Sequence, residues 1–105
     1  MRTRSVDTLD ALVVALCLDY ERRAKAIDLS SASRRTDIEY KYLNFKIYNA
    51  VAEISGDALA HTYINEIGNK IGYAKSEIDE LSEVTYKNYK RLMKENIAKK
   101  LHLCD

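Results

Sequence analysis

Apolar positions along this chain recur at spacings of three and four, the period of a helix with one buried face. Leu9, Val13, Leu16, Tyr20, Ala24 and Ile27 follow that rhythm and predict a first helix from about Val6 to Asp28. Ser5 and Asp7 stand where an N-cap and favourable negative charge belong. Arg22, Arg23 and Lys25 lie toward the other end, where cations complement the helix dipole. A polar stretch from Ser30 to Arg35 follows, and then Thr36 and Glu39 read as a T-x-x-E capping box. They predict a second helix from about Asp37 to Ile54. This helix carries two apolar seams, Ile38-Tyr42-Phe45-Ala52 and Tyr40-Leu43-Ile47-Val51-Ile54. A helix apolar on more than one face is expected at the centre of its bundle. The short connection predicts an antiparallel hairpin with the first helix.

Ser55-Gly56-Asp57 ends that helix and opens the next, with Gly56 suited to the left-handed conformation and Asp57 to an N-cap. The third helix is expected over roughly Ala58 to Lys70, with Ala60, Tyr63, Ile64, Ile67 and Ile71 facing inward and Gly68 and Gly72 weakening its end. Residues 72–81 leave three readings open: a loop, a short helix around Lys75 to Glu80, or a continuation of either neighbour. The last helix is expected over about 83–101, capped by Ser82, with Tyr86, Tyr89, Met93, Ile97 and Leu101 as its apolar stripe.

Composition agrees with this pattern. The 105 residues suffice for one domain, and the absence of proline with only three glycines argues against a turn-rich β fold. The fold class is therefore a small all-α bundle of four main helices (about 6–28, 37–54, 58–70 and 83–101). Eight tyrosines against one phenylalanine and no tryptophan suit half-buried positions, with the ring packed and the hydroxyl wet. A net charge of +1 gives no global electrostatic signature, so a nucleic-acid binder of this composition must concentrate its cations locally. Cys17 and Cys104 read first as free thiols of a reducing compartment, with a disulfide between them as the alternative. The apolar run Leu12 to Leu18 is too short to span a membrane and no cleavage signal follows it, which points to a cytoplasmic protein.

One segment suggests a function. Ser82 opens a helix whose first turn exposes Thr85, Lys87 and Asn88, and whose polar face continues through Lys90, Arg91 and Lys94. Such a helix suits the major groove of duplex DNA, with polar side chains at base edges and cations on phosphates. The segment Leu81-Ser82-Glu83-x-Thr85-x-Lys87-Asn88 resembles the recognition helix of LuxR-type regulators. Leu18-Asp19-Tyr20-Glu21-Arg22-Arg23 and Gly72-Tyr73, together with Ser82-x-x-Thr85-Tyr86-x-x-Tyr89-Lys90-Arg91 and Ile97-Ala98-x-x-Leu101-x-Leu103, are similar to small phage transcription regulators of the ArpU/RinA kind. That resemblance implies a helical, sequence-specific regulator of phage genes with a C-terminal DNA-binding helix. The candidate contacts are Ser82, Thr85, Lys87, Asn88, Lys90, Arg91 and Lys94, and a homodimer is expected, because so small a domain makes few contacts alone. A helix-turn-helix unit would then need the third helix as its scaffold, with a long turn.

A lysine-rich face opposite an apolar stripe is also what any solvated bundle helix presents, with Glu95 and Lys99 a plain i,i+4 pair. The alternative reading is thus a helical interaction or self-assembling module without enzymatic activity, suggested by the two-sided second helix. No cofactor, metal site or small-molecule substrate is expected. His61 reads as a surface or boundary residue of the third helix, His102 and Cys104 as two isolated candidate ligands, and Glu77, Asp79, Glu80 and Glu83 as a solvated acidic run without the spacing of a calcium loop. A second basic concentration, formed by Arg22, Arg23, Lys25, Arg34 and Arg35, reads first as a charged helix end.

Overall fold

The computed structural model describes residues 6–29 and 35–103. Ser5, the 30–34 linker and Cys104 lie outside the described residues, as do the side chains of Asp7, Arg35 and Thr36. The capping-box and N-terminal cap expectations fall there too. Among the described residues the chain is all-α: α1 Val6–Leu18, α2 Tyr20–Leu29, α3 Arg35–Ser55, α4 Asp57–Gly68 and α5 Glu83–Lys100, with a 3-10 turn at Tyr73–Lys75.

The single first helix expected from periodicity is two helices that meet at Asp19. The Asp19 N–H still donates to the Ala15 carbonyl at 3.2 Å, and its own carbonyl accepts from Arg23 at 3.0 Å. Arg23, only 2% exposed, turns its guanidinium back along the chain. Its Nη2 donates to the Leu16 carbonyl at 2.6 Å and its Nε to Asn44 Oδ1 at 2.7 Å. In an unbroken helix the Leu16 carbonyl would serve the Tyr20 amide. Asn44 of α3 completes the junction by donating from Nδ2 to the Tyr20 carbonyl at 3.1 Å. From the other side α4 presses close: a Cβ at Gly68 would lie 2.6 Å from the Leu18 nitrogen. The bend swings the inward face onto Val13, Val14, Cys17 and Tyr20, so Leu9, Leu16, Ala24 and Ile27 are only partly buried.

α3 is central, as its two seams predict, and packs against α2, α4 and α5. Its inner seam supplies Ile47 and Val51, with Ala50 beside them, to a core completed by Ala60, Tyr63, Ile64 and Ile67 of α4 and Tyr86, Met93, Ile97 and Ala98 of α5. The outer seam meets solvent along its first half: Ile38, Tyr42 and Phe45 are 59%, 57% and 62% exposed. Principal extents of 43 × 37 × 20 Å describe a slab. With helix axes about 8–10 Å apart, that thickness holds two layers, so a helix with two apolar faces keeps one uncovered.

The residues past Gly68 are a loop with one 3-10 turn, which decides among the three readings left open by sequence. α4 and α5 each end in a Schellman motif. Ile71 N–H donates to the Glu66 carbonyl and Lys70 N–H to Ile67, while Leu103 donates to Ala98 and His102 to Lys99. The left-handed residues are Lys70 (φ 56°) and His102 (φ 57°), not glycines. Gly56 has the positive φ expected of it, 85°, but with ψ 164° it lies outside the left-handed helical region, and it serves as the N-cap of α4. Asp57 is therefore the first helical residue, where it accepts from the Tyr48 hydroxyl at 3.0 Å.

Candidate functional site

Ser82 caps α5 as its sequence suggests: Oγ accepts from the Thr85 amide at 3.2 Å and donates to Thr85 Oγ1 at 2.9 Å. The helix that follows separates the candidate contacts. Lys87, Asn88 and Arg91 share the solvent face with Val84 and Glu95. On that face each cation has an anionic neighbour one turn away: Lys87 Nζ is 2.6 Å from Glu83, and Arg91 Nη1 is 2.8 Å from Glu95. Arg91 Nη2 also donates to Asn88 Oδ1 at 2.6 Å. Exposed pairs of this kind are worth about 0.3–0.5 kcal/mol and exchange readily with other partners.

Lys90 and Lys94 point elsewhere. Lys94 Nζ reaches Asp10 of α1 at 2.7 Å, tying the last helix to the first. Lys90 Nζ donates to the Ile71 carbonyl at 2.6 Å and lies 5.1 Å over the Tyr86 ring. Burial pushes its pKa below the ordinary lysine value, aided by the like charge of Lys94 and opposed by Glu66. Of the seven residues expected to contact DNA, the exposed group is Ser82, Lys87, Asn88 and Arg91, with Thr85 half-buried beside them. Of the acidic run, Glu83 supplies the partner of Lys87, while Glu95 and Asp10 supply those of Arg91 and Lys94.

The connection between α4 and α5 occupies residues 69–82, well beyond the three or four residues of a helix-turn-helix turn. It is held by Glu66, which is 1% exposed. The Glu66 carboxylate accepts from Ser76 Oγ at 2.7 Å, the Glu77 amide at 2.8 Å and the Tyr86 hydroxyl at 2.6 Å. Burial, and then the bond to Glu66, push the Tyr86 hydroxyl up to about 12. No sequence motif announces this cluster. An isolated Glu in an otherwise apolar helical face was its one available sign.

Other polar groups read from sequence stand as follows. Cys17 is a buried thiol pushed up to about 12 by burial, against the pull of Arg23 and Lys94. His61 is exposed, with its ring 5.2 Å from Tyr48 and 5.8 Å from Tyr20. Among the described residues no group of three or more His, Cys, Asp or Glu side chains could hold a metal ion, and no helix is long and apolar enough to cross a membrane.

A second candidate surface is the outer seam of α3. Ile38, Tyr42 and Phe45 sit one turn apart on one side of the helix, opposite the seam of Tyr40, Leu43 and Ile47 that faces the bundle. Lys46 lies along the stripe, its Nζ 5.2 Å over the Tyr42 ring. Further on, Asn96 of α5 donates to the Ala50 carbonyl and to Glu53, and Lys100 pairs with Glu53 at 2.7 Å. Past Phe45 the seam itself is half-buried, at Asn49 and Ala52. The chain matches no protein-family model, no curated protein and no solved structure.

Proposed function

We propose that this protein is a helical interaction module without enzymatic activity, which docks on another protein surface through the outward face of α3. The reading rests on the exposed Ile38-Tyr42-Phe45 stripe. Large apolar side chains scattered singly on a surface carry no message, whereas three of them one turn apart along one helix make a contiguous patch of the kind that marks docking sites. The buried acid Glu66 is fully engaged by donors of the fold itself, which leaves it no role toward a substrate.

The test is a triple replacement, Ile38→Ser, Tyr42→Ser and Phe45→Ser, studied in dilute solution. Its unfolding free energy, from urea titration, should stay within about 0.5 kcal/mol of the parent, as for surface positions generally. The parent should bind an apolar fluorescent dye that the variant does not. Loss of folding would assign the stripe to the core, and unchanged dye binding would place the apolar surface elsewhere.

A second reading, duplex DNA binding by α5 as a sequence-specific regulator of phage type, is favoured by the Ser82 cap and the shared exposure of Lys87, Asn88 and Arg91. Here the i,i+4 carboxylates would have to yield their cations to phosphates. Binding to duplex DNA followed by fluorescence anisotropy should then fall steeply with salt, and Lys87→Ala or Arg91→Ala should each lower the salt slope by about one. No binding to any duplex at low salt removes this reading.

A further inference from the structure

The occupant of the α3 face can be argued from charge. The outer seam runs Ile38, Tyr42, Phe45, Asn49, Ala52, a spacing of four and three that matches the a and d positions of a heptad. In this frame Glu39 and Lys46 fall on the same flank, one heptad apart, and Lys41 falls on the opposite flank. When two copies of one helix pack antiparallel, like flanks meet, so Glu39 of each copy comes opposite Lys46 of the other. When they pack parallel, opposite flanks meet, and Lys41 of each copy comes against Lys46 of the other. The first arrangement sets two reciprocal attractions against one Lys41–Lys41 repulsion beside the axis, whereas the second makes two repulsions between these residues, so the charges favour the first.

We infer that the partner of this face is a second copy of the chain, packed antiparallel with α3 against α3 about a twofold axis near Tyr42. This rests on the docking reading above and names its occupant. A self-complementary patch is what a twofold interface requires, because every residue serves on both sides of the axis. The α3 stripe lies on the far side of the helix from Tyr40, Leu43 and Ile47, and the half-buried Asn49 and Ala52 bound its exposed part at one end. The free stretch from Ile38 to Phe45 is therefore a little over two turns long. It offers a few hundred Å² per copy, short of the roughly 800 Å² per partner of a stable standard interface. The dimer is accordingly weak and concentration-dependent, with monomer dominant in dilute solution.

Two measurements on the full chain test this. Sedimentation equilibrium from low micromolar to near-millimolar protein should resolve a reversible monomer–dimer equilibrium. Lys46→Glu or Glu39→Lys alone should weaken it about tenfold, since each turns two attractions into repulsions, and the two together should restore it. Oxidative cross-linking in a Cys104→Ser background reads the orientation. Tyr42→Cys, near the axis, should link copy to copy, whereas Ile38→Cys, held far from its twin by the antiparallel arrangement, should not. A chain that stays monomeric throughout overturns the inference while leaving the dye test of the docking surface to stand by itself. A dimer that ignores the charge exchange, or that links through Ile38→Cys, overturns the antiparallel α3 pairing. Should a charge variant fold poorly, the cross-linking pair still decides.

Discussion

Two tyrosines in contact have opposite stakes in their hydroxyls. Tyr86 donates to the buried Glu66 carboxylate, while the Tyr63 hydroxyl, buried and 6.0 Å from Tyr86 ring to ring, has no hydrogen-bond partner among the described residues. Tyr86→Phe should therefore cost about 1.5–3 kcal/mol, the range for a bond to a charged group. Tyr63→Phe should be neutral or stabilise by about 1 kcal/mol, because it removes an unpaired buried hydroxyl. Urea titration of the two variants reads both signs. The same bond sets a pH dependence. Folded Tyr86 holds its proton to about pH 12, against 10.0 for the free side chain. The unfolded chain loses that proton first, so this contribution is complete below about pH 10 and is lost as the pH rises toward 12. The loss, on the order of 2 kcal/mol, should appear as an alkaline fall in the urea midpoint and be absent from Tyr86→Phe.

Neighbouring positions at the end of α4 make a pair of predictions at the level of the element. Gly68→Ala would ordinarily help a helix by about 1 kcal/mol. Here its methyl would stand 2.6 Å from the backbone of α1, so the change should instead destabilise by about 2–3 kcal/mol, the range for overpacking against atoms that cannot move aside. Lys70→Gly, at φ 56°, should stabilise by about 0.5–1 kcal/mol by relieving a left-handed lysine. Thermal melts of both variants check the opposite signs. These two sites also mark what periodicity can and cannot reveal. Helix identity was legible because burial follows the three-four rhythm, and Ser82 was legible as a cap because its hydroxyl acts within one turn. The ends at Lys70 and His102 carry no glycine, so their residue types conceal the caps. The break at Asp19 has no local breaker either; its fixings, Asn44 and Gly68, lie far along the chain. The candidate site on α5 was legible as an amphipathic face. Which cations it keeps was not, because Lys90 and Lys94 are claimed by Ile71 and Asp10 from other elements.

Across the whole molecule burial is uneven. Every described residue from Ala24 to Ile27 and from Ile38 to Leu43 is exposed or only partly buried, whereas α4 and α5 share the tyrosine-lined core. The α2–α3 hairpin is thus an arm fastened chiefly at its base, by Tyr20, Arg23 and Asn44. Local opening requires little apolar exposure there. Native-state hydrogen exchange of dilute protein should show amides of α2 and of residues 38–43 protected at least an order of magnitude less than those of residues 63–67 in α4. Uniform protection would mean that the arm opens only with the rest.

Arg23 gives the bend at Asp19 a timetable. Both groups that fix it from outside, the Asn44 amide and the bare Gly68 backbone, are synthesised after the segment they shape. Until α3 and α4 are made, the break has only the Arg23 bond to the Leu16 carbonyl within its own segment to hold it. The break should be completed on docking, when the guanidinium gives up its hydration to Asn44 as well. Its appearance in a folding experiment would date the arrival of the later helices.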